Sequence, residues 1–101
     1  MAEVPFYLKD YEPQDPEFIQ LACMVREKAQ VAGALDAKTK RLINLALAAV
    51  RDQREVVASH ARLARELGAT DDELIEVIRL VFLNAGMSGL TAGTAAFGEQ
   101  S

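Results

Sequence analysis

The chain has 101 residues, 50% of them hydrophobic, and a formal net charge of −4, which indicates a single small globular domain. The excess of acidic side chains argues against nucleic acid and anionic membrane surfaces as partners. A chain this short buries only a modest fraction of its surface, so the high apolar content predicts burial between subunits.

Cys23 is the single cysteine of the chain. It allows no intrachain disulfide and no redox pair, which is typical of a reducing, cytoplasmic setting. The first thirteen residues lack the basic and apolar segments of a signal peptide, and no uninterrupted apolar run approaches the length of a membrane span. We therefore expect a cytoplasmic protein without a membrane partner.

Residues 1–15 are predicted to form an irregular arm, and residues 16–101 a helical domain. The arm carries three aromatic side chains and two prolines, and proline holds the preceding residue in extended conformations. Asp15 and Pro16 are typical of the start of a helix, and Gly33 of its end. The apolar stripe predicted to face the core consists of Phe18, Leu21, Ala22, Val25 and Ala29.

The second predicted helix begins after Asp36, which suits an N-cap position. Its first turn is basic, with Lys38 and Arg41 at the end where the helix dipole disfavours positive charge. From Leu42 to Val50 nearly every residue is apolar, so this helix is predicted to be buried on all sides.

Two further helices are predicted over 53–67 and 71–85, each opened by a capping box. Asp52 with Glu55 forms the first box, and Thr70 with Glu73 forms the second. Gly68 lies between them, where a helix end favours a left-handed residue.

A last helix is predicted from Gly89 to Phe97, after a break at Gly86 and a possible cap at Ser88. Its many small residues would let another helix approach closely. No alternating strand pattern and no internal repeat is present. The sequence therefore predicts an all-α domain of about five helices.

His60 is the only histidine. It shares one helical face with Val56, Leu63 and Leu67, which Val57 and Ala64 widen, so it is predicted to point towards the core. Such a histidine is either a buried structural residue or a general acid/base in a pocket.

Other site types find little support. A metal site needs three or four ligands, and one histidine and one cysteine on separate helices do not supply them, so we expect no metal and no cofactor. The stretch around Gly68 also imitates a DNA-binding helix-turn-helix, but its second helix begins with Asp71, Asp72 and Glu73. Phosphates would repel that start, which excludes a nucleic-acid interface.

Two stretches resemble the carboxymuconolactone decarboxylase and AhpD-like alkylhydroperoxidase superfamily. One is L-G-A-T-D-D-E-L-I-E-V-I, which follows the histidine helix; the other, upstream, is L-D-A-K-T-K-R-L-I-N-L-A-L-A-A. The resemblance extends over about 34–97. It implies an AhpD-like helical bundle that assembles with copies of itself as a homotrimer or homohexamer.

In the AhpD-like branch, the resemblance implies a glutamate, a Cys-x-x-Cys pair and the histidine as a proton relay. The cysteine positions fall on Gln53 and Val56, the glutamate position falls on Arg41, and only His60 is kept. Thiol peroxidase chemistry of this type therefore lacks its nucleophile.

The decarboxylase branch needs no cysteine pair. Its substrate is a small lactone carboxylate, for which His60 would supply a proton and a cation would hold the anion. Arg41, Arg51 and Arg54 are the candidate cations. Arg41 is preferred because it occupies the position of the glutamate in the family's proton relay. The predicted site is thus catalytic His60 with Arg41, Gln53 and Val56 around the substrate. The alternative is a non-catalytic oligomeric binding module that kept only the fold.

Overall fold

The structure is a computed structural model that describes residues 2–98 and divides into two compact units at residue 32. The first unit contains two short 3-10 turns, Phe6–Leu8 and Glu12–Gln14, and helix α1. The second contains the other three helices and a closing 3-10 turn, and residues 2–98 include no β-strand. The prediction of an all-α fold is confirmed. The helices are α1 (Pro16–Gln30), α2 (Ala37–Val50), α3 (Arg54–Glu66) and α4 (Asp71–Gly93), and the closing turn is Thr94–Phe97.

In the first unit, the N-terminal segment packs on one side of α1. The Gln20 side chain accepts from the Ala2 backbone N–H and donates to the Ala2 carbonyl, both at 3.0 Å. Ile19 and Cys23 are buried together with Ala2 and Val4. The arm thus supplies the small apolar cluster of this unit.

The stripe predicted to be the buried face of α1 is on its exposed side. Phe18, Leu21 and Val25 are 57%, 59% and 69% exposed. That prediction is wrong because the arm covers the narrower side of the helix, which carries Ile19 and Cys23, and leaves the longer apolar stripe uncovered. Helix α1 ends at Gln30, three residues before Gly33.

The second unit has its core where α2, α3 and α4 meet. Its largest fully buried side chains are Leu45 of α2, Val57 of α3 and Leu74 of α4. Many of the other core residues are alanines, which lets the helices approach closely. The remaining members of this cluster are Ala48, Ala49, Ala61, Ile78, Val81, Ala92, Ala95 and Ala96.

Burial of α2 on all sides is not observed in the single chain. Leu45, Ala48 and Ala49 are buried, but Leu47 is 55% exposed. Each helix of a three-helix cluster can turn only one face to the core, so the remaining apolar side chains stay at the surface. The exposed ones are Ile43, Leu47 and Val50 on α2, with Ile75, Leu80, Phe82, Leu83 and Met87 on α4.

The turn between α2 and α3 differs from its prediction. Asp52 has φ of 59°, in the left-handed region, and its N–H bonds to the Ala49 carbonyl while that of Gln53 bonds to Ala48. This pair of hydrogen bonds is the Schellman motif that ends a helix. Asp52 therefore terminates α2 rather than capping α3, whose N-cap is Gln53 without a side-chain hydrogen bond.

The turn between α3 and α4 confirms its prediction. Gly68 has φ of 99°, and the N–H groups of Gly68 and Ala69 bond back to Arg65 and Ala64. Thr70 and Glu73 then form a complete capping box, with Glu73 N–H donating to Thr70 Oγ1 at 3.1 Å and Thr70 N–H to Glu73 Oε1 at 2.9 Å.

A sharp kink at Gly86 divides α4 into two helical segments. Its φ of 69° and ψ of −155° define a backbone conformation that is essentially restricted to glycine. Beyond the kink, a Cβ on Gly89 would meet Val81 and Ala85 at 2.8 Å, and one on Gly93 would meet Ile78 at 3.3 Å. The small residues of the last segment therefore allow close packing, as predicted, against the first segment of α4.

The segment Asp71–Phe97 is long and apolar enough to cross a membrane, with a mean hydropathy of 1.4. The sequence-based expectation concerned an uninterrupted apolar run, and polar residues such as Asn84 and Ser88 interrupt this segment. The core helix of a soluble protein passes the same test. Leu74, Ile78 and Val81 of α4 are buried against α2 and α3, and Gly86 interrupts the helix.

Candidate functional site

Arg41 and His60 face each other across the α2–α3 pair. Arg41 lies in the second turn of α2 and His60 in the middle of α3, and both side chains are half-buried. Arg41 Nη1 is 3.3 Å from His60 Nδ1. The three-residue turn at 51–53 returns α3 alongside α2, which brings residues nineteen positions apart into contact. The structure therefore joins two of the four residues predicted for the site.

This contact assigns a hydrogen-bond role to one nitrogen of the imidazole. A guanidinium has only N–H donors, so His60 Nδ1 must be the acceptor in a hydrogen bond with Arg41. A neutral imidazole with Nδ1 unprotonated carries its proton on Nε2. With Arg41 donating to Nδ1, the tautomer of His60 that fits this contact carries its proton on Nε2.

The predicted orientation of His60 towards the core is wrong in part. The buried residues of α3 are Val57, Ala61 and Ala64, which include the two residues predicted to widen the face but lie one position after its central row of Val56, His60 and Leu63. One position along a helix is a rotation of about 100°, so the predicted face lies at the edge of the core. The prediction centred the face on the larger apolar side chains, whereas two of the three buried residues are alanines. His60 is half-buried at that edge.

Gln53 and Val56 lie N-terminal to His60 on the same side of α3. The i, i+3, i+7 spacing of the three residues places them in one row. Val56 is 39% exposed, and Gln53, at the N-cap, is exposed as well. The row is therefore accessible from solvent, with the Arg41–His60 contact at its inner end.

Arg54 has a structural role that sequence reasoning missed. Its guanidinium donates to the Thr91 carbonyl and, at 3.3 Å, to Thr94 Oγ1. A cation at this place satisfies carbonyl groups at the end of α4 and complements its dipole. Arg54 thus attaches α3 to the C-terminal turn, which removes it from the candidate anion-binding residues.

Arg65 makes a similar attachment in the last turn of α3. It donates to the Ala96 carbonyl at 2.9 Å, forms an ion pair with Asp71 at 3.1 Å and lies 5.2 Å from the centroid of the Phe97 ring. The i, i+11 spacing from Arg54 places both arginines on one side of α3, and this regular spacing is the sequence signal that could have identified them.

The basic first turn of α2 is also explained. Lys38 Nζ lies 2.9 Å from Glu73 Oε2, so a carboxylate of α4 offsets the positive charge beside the α2 N-terminus. The backbone N–H of Thr70, and then Lys38, hold the pKa of Glu73 below its ordinary value of 4.5. Asp36 caps α2 by accepting from Thr39 N–H at 2.7 Å, and this bond lowers its pKa from the ordinary 3.8.

A separate apolar cavity of about 470 Å³ lies along α4 and the closing turn. Sequence reasoning did not predict it, because it forms only where the kink at Gly86 folds the last segment back. Among residues 2–98, no three His, Cys, Asp or Glu side chains are grouped so as to hold a metal ion. The cavity is lined by Ile75, Ile78, Arg79, Phe82, Leu90, Thr94 and Phe97.

Comparison with known protein families identifies the class of protein that this helical fold and its histidine-bearing helix define. The model of the carboxymuconolactone decarboxylase family matches residues 16–99, and the chain belongs to this family. Two uncharacterised proteins of Methanocaldococcus jannaschii are similar to it. MJ1511 is 31% identical over 72 residues, 71% of this chain and 67% of that protein. MJ0742 is 27% identical over 85 residues, 83% and 82% of the two chains.

Two crystal structures share the fold. The ligand-free carboxymuconolactone decarboxylase family protein lpg0406 of Legionella pneumophila superposes with a TM-score of 0.80 at 29% identity, covering 89% of this chain and 80% of that one. A protein of Burkholderia xenovorans LB400, provisionally named a carboxymuconolactone decarboxylase, gives a TM-score of 0.78 at 30% identity. That alignment covers 92% of this chain and 77% of the other. The family resemblance read from the sequence is thus confirmed.

Proposed function

We propose that the protein binds a small organic anion of the lactone carboxylate type beside His60, and that it acts on this anion as a lyase. The observation that carries the proposal is the 3.3 Å contact between Arg41 and His60 on the accessible row of α3. It combines a permanent cation with a neutral acid/base group, which are the two groups that decarboxylation requires.

Arg41 is assigned to the carboxylate of the substrate. A guanidinium carries five N–H donors, and the contact with His60 Nδ1 uses one of them. The others suit a carboxylate, which arginine holds through paired N–H···O bonds. Gln53 and Val56 would then contact the uncharged remainder of the molecule, with the amide of Gln53 available to a carbonyl oxygen.

His60 is assigned to proton transfer. When the bond between the substrate carbon and its carboxyl group breaks, CO₂ leaves and the electron pair remains on carbon. The Nε2–H of His60 would protonate that carbon, and solvent would restore the proton. Loss of the Nε2 proton would leave a negative charge on the ring, and the Arg41 guanidinium beside Nδ1 would offset this charge until the ring is reprotonated.

A thiol peroxidase remains the least favoured function. Gln53 and Val56 occupy the positions of the reactive cysteine pair, and Cys23 is buried at 2% exposure in the first unit. We expect no turnover of hydroperoxides with a dithiol reductant. Loss of such turnover on Cys23→Ser would show this expectation to be wrong.

We further propose a cytoplasmic homo-oligomer, either a homotrimer or a homohexamer. The exposed apolar side chains of α1, α2 and α4 support association with further copies, because a monomer rarely leaves this many large apolar groups in water. Leu83, for example, is 77% exposed. Light scattering at micromolar concentration that returns the monomer mass would exclude this assembly.

The test of the function is calorimetric titration with a panel of small organic acids that includes lactone carboxylates. Arg41→Gln should weaken binding at least tenfold, or about 1.4 kcal/mol, since it removes the charge that holds the anion. Arg51→Gln is the matched control, because Arg51 is exposed in the adjacent turn and should leave affinity within twofold. Equal losses of affinity in both variants would mean that the acids bind to general positive charge at the surface and not to a specific site.

His60→Asn separates enzyme from binding module. An enzyme should bind the same acids but lose CO₂ release from a lactone carboxylate by at least about a hundredfold. Binding by the parent protein without any turnover would support the alternative, a non-catalytic module. Absence of binding by the whole panel would contradict both assignments.

A further inference from the structure

The apolar cavity beside α4 lies in the angle that the kink at Gly86 creates between the two helical segments. Ile75, Ile78 and Phe82 share one face of the first segment, since they are spaced i, i+3 and i+7. Leu90 lines the cavity from the segment after the kink. All lining residues belong to the second unit of the chain, so the walls of the cavity are formed within that unit.

The size and the walls of the cavity suit a small molecule with a long apolar part. Its volume of about 470 Å³ falls within the range of about 300–1,000 Å³ that is typical of ligand pockets. From Ile75 to Phe82 it extends along two turns of α4, or about 10 Å. Two isoleucines, two phenylalanines and a leucine form most of its walls. Moving an alkyl chain from water to such walls is favourable in proportion to the apolar area that is buried.

A cation lies at the edge of these apolar walls. Of the described residues that line the cavity, Arg79 alone is charged. Its side chain is exposed, and arginine packs its aliphatic stem along apolar surface while the guanidinium stays in water. Within residues 2–98 this guanidinium has no hydrogen bond or ion pair with another protein group. Its N–H donors are therefore available to an anion at the mouth of the cavity.

The other polar groups near the cavity are already paired or lie outside its walls. The Thr94 hydroxyl donates to a backbone carbonyl at 2.7 Å. Arg65, which lies 5.2 Å from the centroid of the Phe97 ring, is in an ion pair. Glu76 precedes Arg79 by one turn, but it does not line the cavity and forms no ion pair with Arg79 in the described part of the chain. The cavity therefore combines an apolar space with an available cation.

We propose that this cavity binds a free medium-chain fatty acid anion, with the carboxylate held by Arg79 and the alkyl chain between the two segments of α4. Arginine holds a carboxylate through paired N–H···O bonds. The choice of this occupant rests on charge complementarity, because a neutral apolar ligand would make no use of the cation. The cavity shares no lining residue with the Arg41–His60 contact, so the proposal is independent of the proposed lyase function.

The first test is equilibrium dialysis of the full chain with decanoate, which should bind once per chain. Arg79→Gln should weaken decanoate at least about tenfold but decanol, which has the same chain without the charge, less than twofold. Arg62→Gln is the matched control, because Arg62 is an exposed arginine of α3 outside the lining, and it should leave decanoate affinity within twofold. Equal losses for decanoate and decanol in Arg79→Gln, or no loss for either, would overturn the proposal.

The apolar part of the site is tested by filling it. Ile75 is 37% exposed, so Ile75→Trp enlarges the side chain from the rim of the cavity and should weaken decanoate at least about tenfold. Leu80→Trp is the matched control, because Leu80 is exposed on the same helix but does not line the cavity. It should leave affinity within twofold, and circular dichroism should report unchanged helix content in both variants. Equal effects of the two substitutions would contradict binding in this cavity.

Methyl NMR locates the ligand. Decanoate should shift the methyl resonances of Ile75, Ile78 and Leu90, and Arg41→Gln should leave its affinity within twofold. Loss of decanoate binding in Arg41→Gln would place the ligand beside His60 and would overturn the proposal. So would the absence of binding by the parent protein, since it would mean that another copy or another segment of the chain fills the cavity.

Discussion

The two turns that flank α3 have the same hydrogen bonding but differ in how well their residues suit it. Both end the preceding helix in a Schellman motif. The α3–α4 turn has glycine at the left-handed position and a complete capping box after it. The α2–α3 turn has Asp52 at the left-handed position and Gln53 as an N-cap without a side-chain bond.

The difference coincides with function. The less suited turn leads into the row that carries Gln53, Val56 and His60, whereas the optimised turn lies at the far end of α3. Local rules are broken most often at functional sites, where residues are kept for what they contact. We infer that the α3–α4 turn stabilises the domain, and that the α2–α3 turn is tolerated for the site.

The largest effect is expected at Gly68. Gly68→Ala places a Cβ on a residue with φ of 99° and should lower the free energy of unfolding by about 1–2 kcal/mol. Gly33→Ala is the matched control, because Gly33 does not have a positive φ and a Cβ there would meet nothing within 4 Å. Chemical denaturation measures both, and equal effects would contradict the account of the turn.

The second largest effect on stability is expected from the capping box. Thr70→Ala removes the acceptor for Glu73 N–H and should cost about 1 kcal/mol. Gln53→Ala is the corresponding change in the other turn and should cost less than about 0.3 kcal/mol, since Gln53 makes no capping bond. A larger loss at Gln53 than at Thr70 would reverse the comparison.

Replacing Asp52 should strengthen the weaker turn. Asp52→Gly relieves the left-handed strain but adds flexibility to the unfolded chain, for a net gain of about 0.5 kcal/mol. The change should leave anion binding intact, because Asp52 precedes the row and is not part of it. A destabilised Asp52→Gly variant would mean that the carboxylate makes a contribution of its own.

The smallest effect is expected in the dependence of stability on acidic pH. The pKa of Glu73 is lowered in the folded protein, first by Thr70 N–H and then by Lys38. A lowered folded pKa gives stability that is complete above the unfolded value, near the ordinary 4.5, and that disappears as the pH falls through the folded value. Thermal melts from pH 7 to 3 should therefore show the difference between the parent and Glu73→Gln shrinking below about pH 4.5. A difference that grows in acid would contradict this sign.

The comparison also explains what the sequence could predict. Gly68 and the Thr70–Glu73 box are local signals, so the end of α3 and the start of α4 follow from a few adjacent residues. Asp52 followed by Glu55 has the same local pattern as a capping box, but in the structure Asp52 is the left-handed residue that ends α2. Which of these two roles Asp52 takes depends on the packing of α2 against α3, and neither motif encodes that packing.

The candidate site was also predictable only in part. The family resemblance identified His60 and Arg41 as neighbours, and the structure places them in contact. The buried side of α3 was predicted only in part, because Val57 and two alanines are buried whereas Val56 and Leu67 are exposed. The attachment of Arg54 to the end of α4 depends on the kink at Gly86, whose direction no local signal specifies.

The most direct measurement is the ¹⁵N NMR spectrum of the imidazole, which is unambiguous because His60 is the only histidine. At neutral pH the account predicts an unprotonated Nδ1 and a protonated Nε2, with mixed tautomers appearing in Arg41→Gln. Arg51→Gln should leave the spectrum unchanged. A protonated Nδ1 in the parent protein, or a spectrum that Arg41→Gln does not alter, would contradict the proposed role of Arg41 in preparing His60.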